Sequence, residues 1–207
     1  LIDVYLTGKE LKLAAEVDAS VSDFMTTARL YCSGLNFTFN PHRMILNKVT
    51  DCYLTREDGE RIEIQDDQLY RVVTDLYTGQ MLGSVMEMSY GLLKIEPKDK
   101  DGNPIENLEN QAIMEGDKEL KAWDAIARYM KSFDDTDGNG ISNVSEYYET
   151  THGRKVVDES RNVIDLVKNP NKFSVMIVGI VLVLILIIIL LVVLIRKLIK
   201  KRQRKKK

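Results

Sequence analysis

The sequence predicts a mixed α+β domain, with a single mixed sheet and packed helices, followed by one transmembrane helix. Within the first 150 residues, segments of period-two alternation and segments of helical periodicity follow one another without an internal repeat or a Gly/Ser-rich linker. Beyond them, residues 173–195 form an uncharged apolar run with a single hydroxyl, Ser174. At 1.5 Å per residue this run makes a helix of about 34 Å, long enough to cross a hydrocarbon core of about 30 Å.

Charge divides the 207-residue chain into two unequal parts. The whole chain carries 29 Lys+Arg and 31 Asp+Glu, a net charge of -2, yet residues 196–207 hold nine of the basic residues and no acid. The remainder has 20 basic and 31 acidic residues, so an interaction with a nucleic-acid polymer is not expected. Because basic residues beside a span stay in the cytoplasm, we expect a single-pass cell-membrane protein whose folded region lies outside.

The first half of the folded region is predicted to hold one helix and most of the strands. A first strand covers residues 1–6, and apolar residues recurring three to four positions apart from Leu11 to Val17 predict an amphipathic helix over 8–20. Asp58-Gly59 lies between two strand-like runs and predicts a type I′ hairpin. Alternation and β-branched content predict the further strands at 30–40, 49–54, 61–64 and 69–75.

The second half of the chain is predicted to contain both strand and helix, followed by the membrane span. Residues 86–96 are predicted as a strand broken at Gly91, residues 98–104 as a charged turn, and residues 117–133 as a helix. Residues 156–172 are polar with scattered aliphatics, which predicts a stalk or a short helix. The expected organisation is a domain over 1–150, a juxtamembrane stalk over 151–172, the span over 173–195 and a basic cytoplasmic tail over 196–207.

Several short motifs, in a fixed order, together resemble one known family. They are a first strand, TGKEL at 7–11, SGLNFTFNP at 33–41, KVTDCYL at 48–54 and LYRVVTDLY at 69–77. In this order and spacing, over about residues 1–133, they resemble the C-terminal domain of the 5′-nucleotidase family.

The resemblance implies the substrate-recognition part of a two-domain phosphoester hydrolase of nucleotide catabolism. The family's metallophosphatase domain, with two divalent metal ions, would precede this segment, and we expect the chain beginning at Leu1 to be part of a longer protein. Two-metal hydrolysis needs several converging His and Asp ligands. The chain has only His42 and His152 and neither of the family's metal motifs, D-x-H and G-N-H-D, so this segment alone is not expected to be catalytic.

One part of the family's substrate site differs in this sequence. The resemblance implies that an aromatic ring of a G-G-D-G-Y/F motif helps to hold the nucleobase, but residues 78–85 read TGQMLGSV, without the acid or the aromatic. Tyr77 and Tyr90 are candidate replacements, because stacking on a nucleotide or a related phosphoester needs an available π face. The alternative is that both tyrosines are half-buried packing residues.

Residues 135–146, DTDGNGISNVSE, resemble a calcium-binding loop. Calcium binding would use side-chain or backbone oxygens of five residues, with Gly140 allowing the sharp turn. The alternative is a solvated polar turn. The candidate calcium ligands are Asp135, Asp137, Asn139, Ile141 through its carbonyl, and Glu146.

Cys32 and Cys52 lie on neighbouring predicted strands. Export would permit a disulfide between them, and the alternative is two small half-buried residues.

Two functional hypotheses follow from the sequence. The first is the substrate-recognition part of a membrane-anchored, outward-facing 5′-nucleotidase-like hydrolase, whose partners are the upstream metallophosphatase domain, membrane lipid and a nucleotide or related phosphoester. The second is a non-catalytic binding or adhesion ectodomain that retains the fold. The altered stretch at 78–85 favours the second hypothesis, and the ordered motifs favour the first.

Overall fold

The fold comes from a computed structural model, which describes residues 1–26, 29–89 and 91–204. It confirms a mixed α+β class. The helices are α1 Gly8–Val21, α2 Leu76–Met88, α3 Ala122–Lys131, α4 Val163–Val167 and α5 Lys172–Arg204, and two 3₁₀ turns cover Leu108–Gln111 and Glu146–Glu149. The strands are β1 Ile2–Thr7, β2 Leu35–Phe39, β3 Val49–Thr55, β4 Arg61–Glu63, β5 Leu69–Thr74, β6 Met114–Glu115, β7 Lys118–Glu119 and β8 Lys155–Val157.

The described strands form small sheets rather than the single sheet that was predicted. β1 pairs antiparallel with β5, and a second sheet has the order β4-β3-β2-β8, in which β8 runs parallel to β2. β6 and β7 form a separate two-stranded hairpin. Because β1 and β2 belong to different sheets, the fold depends on an element that joins them.

Helix α1 joins the two main sheets through two different faces. Leu11 and Ala14 pack with Leu6 of β1, whereas Ala15 and Ala19 pack against Phe37 of β2. These positions are spaced by three and four residues along each face, as helical geometry requires. The alanines bring the backbone of the helix close to both sheets, which explains why α1 is nearly covered.

The start of α1 explains the TGKEL motif. Thr7 caps the helix by accepting a hydrogen bond from the Glu10 amide, and the Glu10 carboxylate accepts from the Thr7 amide at 2.8 Å, so a complete capping box is present. Gly8 lies so close to the loop after β4 that a Cβ atom built on it would stand 2.1 Å from the Gln65 carbonyl oxygen. Only glycine fits this approach of two backbones.

The hairpin predicted at Asp58-Gly59 is present, but the predicted type I′ turn is wrong. β3 and β4 pair antiparallel, and the Arg56 amide donates to the Glu60 carbonyl while the Gly59 amide donates to the Arg56 carbonyl. Gly59 has a φ of 87°, whereas Asp58 is not in the left-handed region. A type I′ turn needs positive φ at both central residues, so this is a three-residue loop ending in a glycine bulge.

The strand predicted over 86–96 was also wrong. Helix α2 already includes residues 86–88, and Asp75 begins it by accepting a hydrogen bond from the Thr78 amide at 2.9 Å. Gly91, with a φ of 78°, donates its amide to the Met86 carbonyl beyond the helix end. This glycine closes the C-terminus of a helix instead of interrupting a strand.

The helix predicted over 117–133 begins later than expected. Residues 114–119 form the β6–β7 hairpin, with Gly116 at φ 60° in its turn, and α3 starts at Ala122. A glycine at the first central position of a two-residue loop is typical of a hairpin turn. The predicted helix therefore started too early, because the turn at Gly116 makes a hairpin of residues 114–119.

Residues 151–172 do not form a free stalk. β8 lies in the four-stranded sheet, and the Arg43 side chain donates to the backbone carbonyls of Asp165 and Lys168. Helix α5 then begins inside the domain, because Phe173 is 4% exposed and packs with Val17 and Leu93. Long-range strand pairing and an arginine from residue 43 hold this segment, and neither is visible in its local sequence.

Helix α5 contains the apolar run. Its segment Lys172–Lys201 is long and apolar enough to cross a membrane by length and composition. The most apolar stretch of this segment is not buried against the rest of the described chain.

Candidate functional site

A cleft of about 700 Å³ lies between the two main sheets. One wall is β5, the opposite wall contains Leu54 and Thr55 of β3 with Ile62 of β4, and the loop before β2 closes one end. Leu11 and Ala14 of α1 lie at its base. Because α1 holds the two sheets at a fixed separation, the cleft is a direct product of the packing described above.

Apolar side chains dominate the lining of this cleft, and its polar groups include Asp75 and Thr78 at the start of α2. Among these, Thr78 donates its hydroxyl to the Asp75 carboxylate at 2.7 Å, and this bond is the main reason why the pKa of Asp75 lies below its usual value. Asp75 is also the N-cap of α2. A carboxylate held as a cap is poorly suited to act as a general base, so the cleft is better suited to binding than to proton transfer.

Tyr31 provides an aromatic surface in the cleft. Its side chain is 87% exposed, and the ammonium group of Lys155 lies 5.4 Å from the centre of its ring. Lys155 is itself held by Asp18 at 2.7 Å, and the Asp18 side chain is only 4% exposed. An ammonium group at this distance attracts the negative face of an aromatic ring.

The same buried carboxylate also orders the backbone next to Tyr31. Asp18 accepts a hydrogen bond from the Leu30 amide at 2.8 Å, and Lys155 donates to the Leu30 carbonyl. Reasoning from the sequence missed Tyr31, because no local pattern distinguishes it. Its role depends on Asp18 and Lys155, which lie 13 residues before it and 124 residues after it in the chain.

The two tyrosines that the sequence predicts as stacking residues differ in what the structure says of them. Tyr77 lies in the first turn of α2, is 61% exposed, and lines a second cavity of about 80 Å³. This cavity shares Arg29 and Thr78 with the cleft, so Tyr77 lies beside the cleft and not in its lining. Tyr90 lies outside the described residues.

The stretch that replaces the family's aromatic motif has a structure of its own. Residues 78–85 are helical and belong to α2, which runs from Leu76 to Met88. Its Thr78 and Leu82 face the cleft. A helix therefore lines this side of the cleft in place of the motif that the resemblance implies.

Hydrogen bonds organise the loop over 135–146 around one carboxylate. Asp135 accepts hydrogen bonds from the backbone amides of Gly138, Asn139 and Gly140, and the Gly140 amide is the chief reason why its pKa lies below the usual value. Asp137 accepts from the Asn139 amide at 3.2 Å. Within the described part of the chain, no group of three His, Cys, Asp or Glu side chains lies close enough together to hold a metal ion.

Neither cysteine is activated for nucleophilic chemistry, and only Cys32 lines the cleft. Cys32 and Cys52 are both free and half-buried. Burial raises the pKa of Cys32, and it raises the pKa of Cys52 to about 12. Both groups are therefore neutral thiols near neutral pH, and neither is an activated nucleophile.

Comparison with known proteins identifies the segment that contains the cleft. Residues 1–89 match the family described as 5′-nucleotidase, C-terminal domain. This C-terminal-domain match runs from β1 through α2 and includes every residue that lines the cleft. The chain is also similar to the crystal structure of a 5′-nucleotidase precursor from Thermus thermophilus, with 17% identity and a TM-score of 0.47.

That similarity covers 77% of this chain and 25% of the Thermus chain, so the chain spans about a quarter of that protein. At this level of similarity no residue role is transferred from it. No curated protein matches the sequence.

Proposed function

We propose that the folded region is the substrate-recognition part of a 5′-nucleotidase-like phosphoester hydrolase. The observation that carries the proposal is that every residue lining the cleft between the two main sheets lies within the segment that matches the 5′-nucleotidase C-terminal domain. The cleft volume of about 700 Å³ falls in the range of small-molecule sites. Phosphoester cleavage would then belong to an upstream metallophosphatase domain and its divalent metals, a partner in the same polypeptide.

Nucleotide recognition in this cleft would combine three kinds of contact. Tyr31 presents an exposed ring on which a nucleobase can stack, and the apolar base of the cleft can pack against the ring face of the same nucleobase. Arg29, exposed at the entrance, supplies a guanidinium group for a phosphate. Tyr77 and Tyr90 remain candidates for a second stacking partner.

Replacing Tyr31 by Ala tests this function. Stacking on one aromatic side chain contributes about 1–3 kcal/mol, so Tyr31→Ala should weaken adenosine and AMP binding roughly five- to 150-fold. Tyr31→Phe keeps the ring and should bind like the original chain. Isothermal titration of the full chain in neutral detergent measures these affinities.

Phe24→Ala removes another exposed aromatic side chain, outside the cleft, and is the matched control. If Tyr31→Ala and Phe24→Ala bind adenosine equally well, Tyr31 does not contact the base.

The alternative function is a non-catalytic binding or adhesion ectodomain. It is favoured by the helical stretch 78–85, which lacks both the acid and the aromatic residue of the family motif. The two functions differ in one measurement. A longer protein that contains this chain should release phosphate from AMP under the first function and should bind without phosphate release under the second.

We also propose that α5 anchors the domain in the cell membrane, with the folded region outside and residues 196–207 in the cytoplasm. The length, hydropathy and basic end of this helix support the proposal. Protease added to intact cells should digest the folded region and leave an epitope placed after residue 207 protected. Digestion of that epitope in unlysed cells would show the opposite orientation.

Calcium is proposed as a ligand of the loop over 135–146, through Asp135, Asp137, Asn139, Ile141 and Glu146. Millimolar calcium should raise the melting temperature, since a ligand at a hundredfold excess over its dissociation constant stabilises the folded state by about 2.7 kcal/mol. Asp137→Ala should abolish most of this rise. Asp101→Ala, in a different acidic turn, should leave the rise in melting temperature unchanged. Equal behaviour of the two variants would show that the loop is only a polar turn.

A further inference from the structure

A third cavity, of about 600 Å³ and called here the lysine-lined cavity, opens beside the start of α5. It is lined by Lys9 and Lys12 of α1, by residues of β3, and by the connection that runs through Asn171 and Lys172 into α5. The Asn171 side chain accepts hydrogen bonds from the amides of Phe173 and Ser174 and donates to the Leu46 carbonyl. The helix and the cavity wall are thus one packed structure.

The packing at this point determines how deep the cavity would lie relative to a bilayer. Phe173 and Ser174 are buried in the domain, so the exposed apolar surface of α5 starts at Val175. Residues 175–195 still span about 32 Å, enough for the hydrocarbon core. Lys172 then lies about 4.5 Å before the apolar surface, within a headgroup layer that is about 5–8 Å thick.

The charges around the cavity favour an anionic ligand. Its three carboxylates already have partners: Asp66 pairs with Lys12 at 2.7 Å, Asp51 pairs with Arg61 at 2.8 Å, and Glu16 accepts hydrogen bonds from the amides of Lys48 and Val49. Lys9 and Lys172 are both exposed, and neither has an ion-pair partner among the described residues. The positive charge that remains available is therefore at the mouth of the cavity.

We propose that this cavity binds the phosphate headgroup of an anionic phospholipid from the outer leaflet. Lys9 and Lys172 would contact the phosphate, and Asn169 and Asn171 supply further polar groups in the lining. Because α5 begins inside the domain, such a lipid would fix the orientation of the domain, and hence of the cleft, relative to the bilayer. This inference rests on the proposed membrane anchor and is independent of nucleotide recognition.

The test uses the full chain in neutral detergent micelles, titrated with short-chain phosphatidylglycerol while its melting temperature is measured. Each basic residue near an anionic surface contributes about 1 kcal/mol, or about fivefold in affinity. The Lys9→Gln/Lys172→Gln variant should therefore need about 25-fold more lipid for half of the stabilisation. Lys100→Gln/Lys118→Gln removes the same charge from exposed lysines outside the cavity and should titrate like the original chain.

Three outcomes overturn the proposal. The first is an equal response to phosphatidylglycerol and to zwitterionic phosphatidylcholine, and the second is an equal response of the two double variants. The third is full stabilisation by soluble glycerophosphate, which would make the cavity a site for free phosphate and not for lipid. Extraction by alkaline carbonate is measured separately, because release of the chain from membranes would show that α5 is not a membrane anchor. Adenosine binding tests the cleft independently of that result.

Discussion

Glu10→Ala is expected to lower the free energy of unfolding by about 3–5 kcal/mol. The Glu10 side chain is only 11% exposed and pairs with the ammonium group of Lys98 at 2.5 Å. The same carboxylate accepts hydrogen bonds from the amides of Thr7 and Glu96. Its removal leaves the mostly covered Lys98 ammonium group with only the Glu96 carbonyl as a partner, leaves two backbone donors unpaired, and deletes half of the capping box that starts α1.

The same residue makes stability depend on pH. Burial raises the pKa of Glu10, but hydrogen bonds from Lys98 and Thr7 outweigh this effect and hold the pKa below its ordinary value of 4.5. The unfolded chain therefore binds the proton more readily than the folded chain. The stabilisation by Glu10 is complete above pH 4.5 and is lost as the pH falls through the folded-state pKa.

Urea unfolding of the full chain in neutral detergent, followed by near-ultraviolet circular dichroism, measures both effects. The matched control is Glu60→Ala, which removes an exposed glutamate paired with Arg56 and should cost less than about 1 kcal/mol. Glu10→Ala should also show a weaker loss of stability in acid than the original chain. A cost for Glu10→Ala no larger than for Glu60→Ala would contradict the role assigned to the TGKEL motif.

Lys155→Met should also cost about 3–5 kcal/mol, although residue 155 lies outside the matched segment 1–89. It leaves the Asp18 carboxylate, 4% exposed, without its cation. The Leu30 amide remains a donor to Asp18, so the loop next to Tyr31 keeps only part of its support. Adenosine binding should weaken together with stability, because the ring of Tyr31 loses the ammonium group beside it.

A double-mutant cycle separates the effect of the Asp18–Lys155 charge interaction from the effect of side-chain shape. Asp18→Asn keeps an oxygen for the Leu30 amide and removes the charge, so Asp18→Asn/Lys155→Met should be more stable than Lys155→Met alone. Lys12→Met breaks the exposed pair with Asp66 and should cost less than about 1 kcal/mol. If Lys155→Met behaves like Lys12→Met, the Asp18–Lys155 ion pair contributes little to the stability of the domain.

Local sequence was informative wherever a short-range rule decides the structure. The alternation in residues 1–6, the helical spacing from Leu11 to Val17 and the strand over 69–75 correspond to β1, α1 and β5. Each of these elements is determined by its own periodicity and caps. The same rules failed at Gly91 and Gly116, where positive φ marks a helix end and a hairpin turn.

The candidate site was less predictable than the fold. Tyr77 was predicted to replace the aromatic ring that residues 78–85 lack, yet it lies beside the cleft, and Tyr31 lines the cleft without any local signal. Tyr31 depends on Lys155, and Lys155 reaches it because β8 pairs with β2 across more than 115 residues of sequence. Periodicity contains no information about such pairing.

The sequence by itself determined the class of the fold, the position of α1, the asymmetry of charge and the apolar helix, because each depends on residue type and on spacing within one or two turns. Tertiary structure alone decided that α1 joins two sheets, that residues 155–173 belong to the domain, and that the cleft and the lysine-lined cavity exist. The physical reason is that cavities and buried ion pairs arise between segments distant in the chain, whose contacts become favourable only after the elements that carry them have packed.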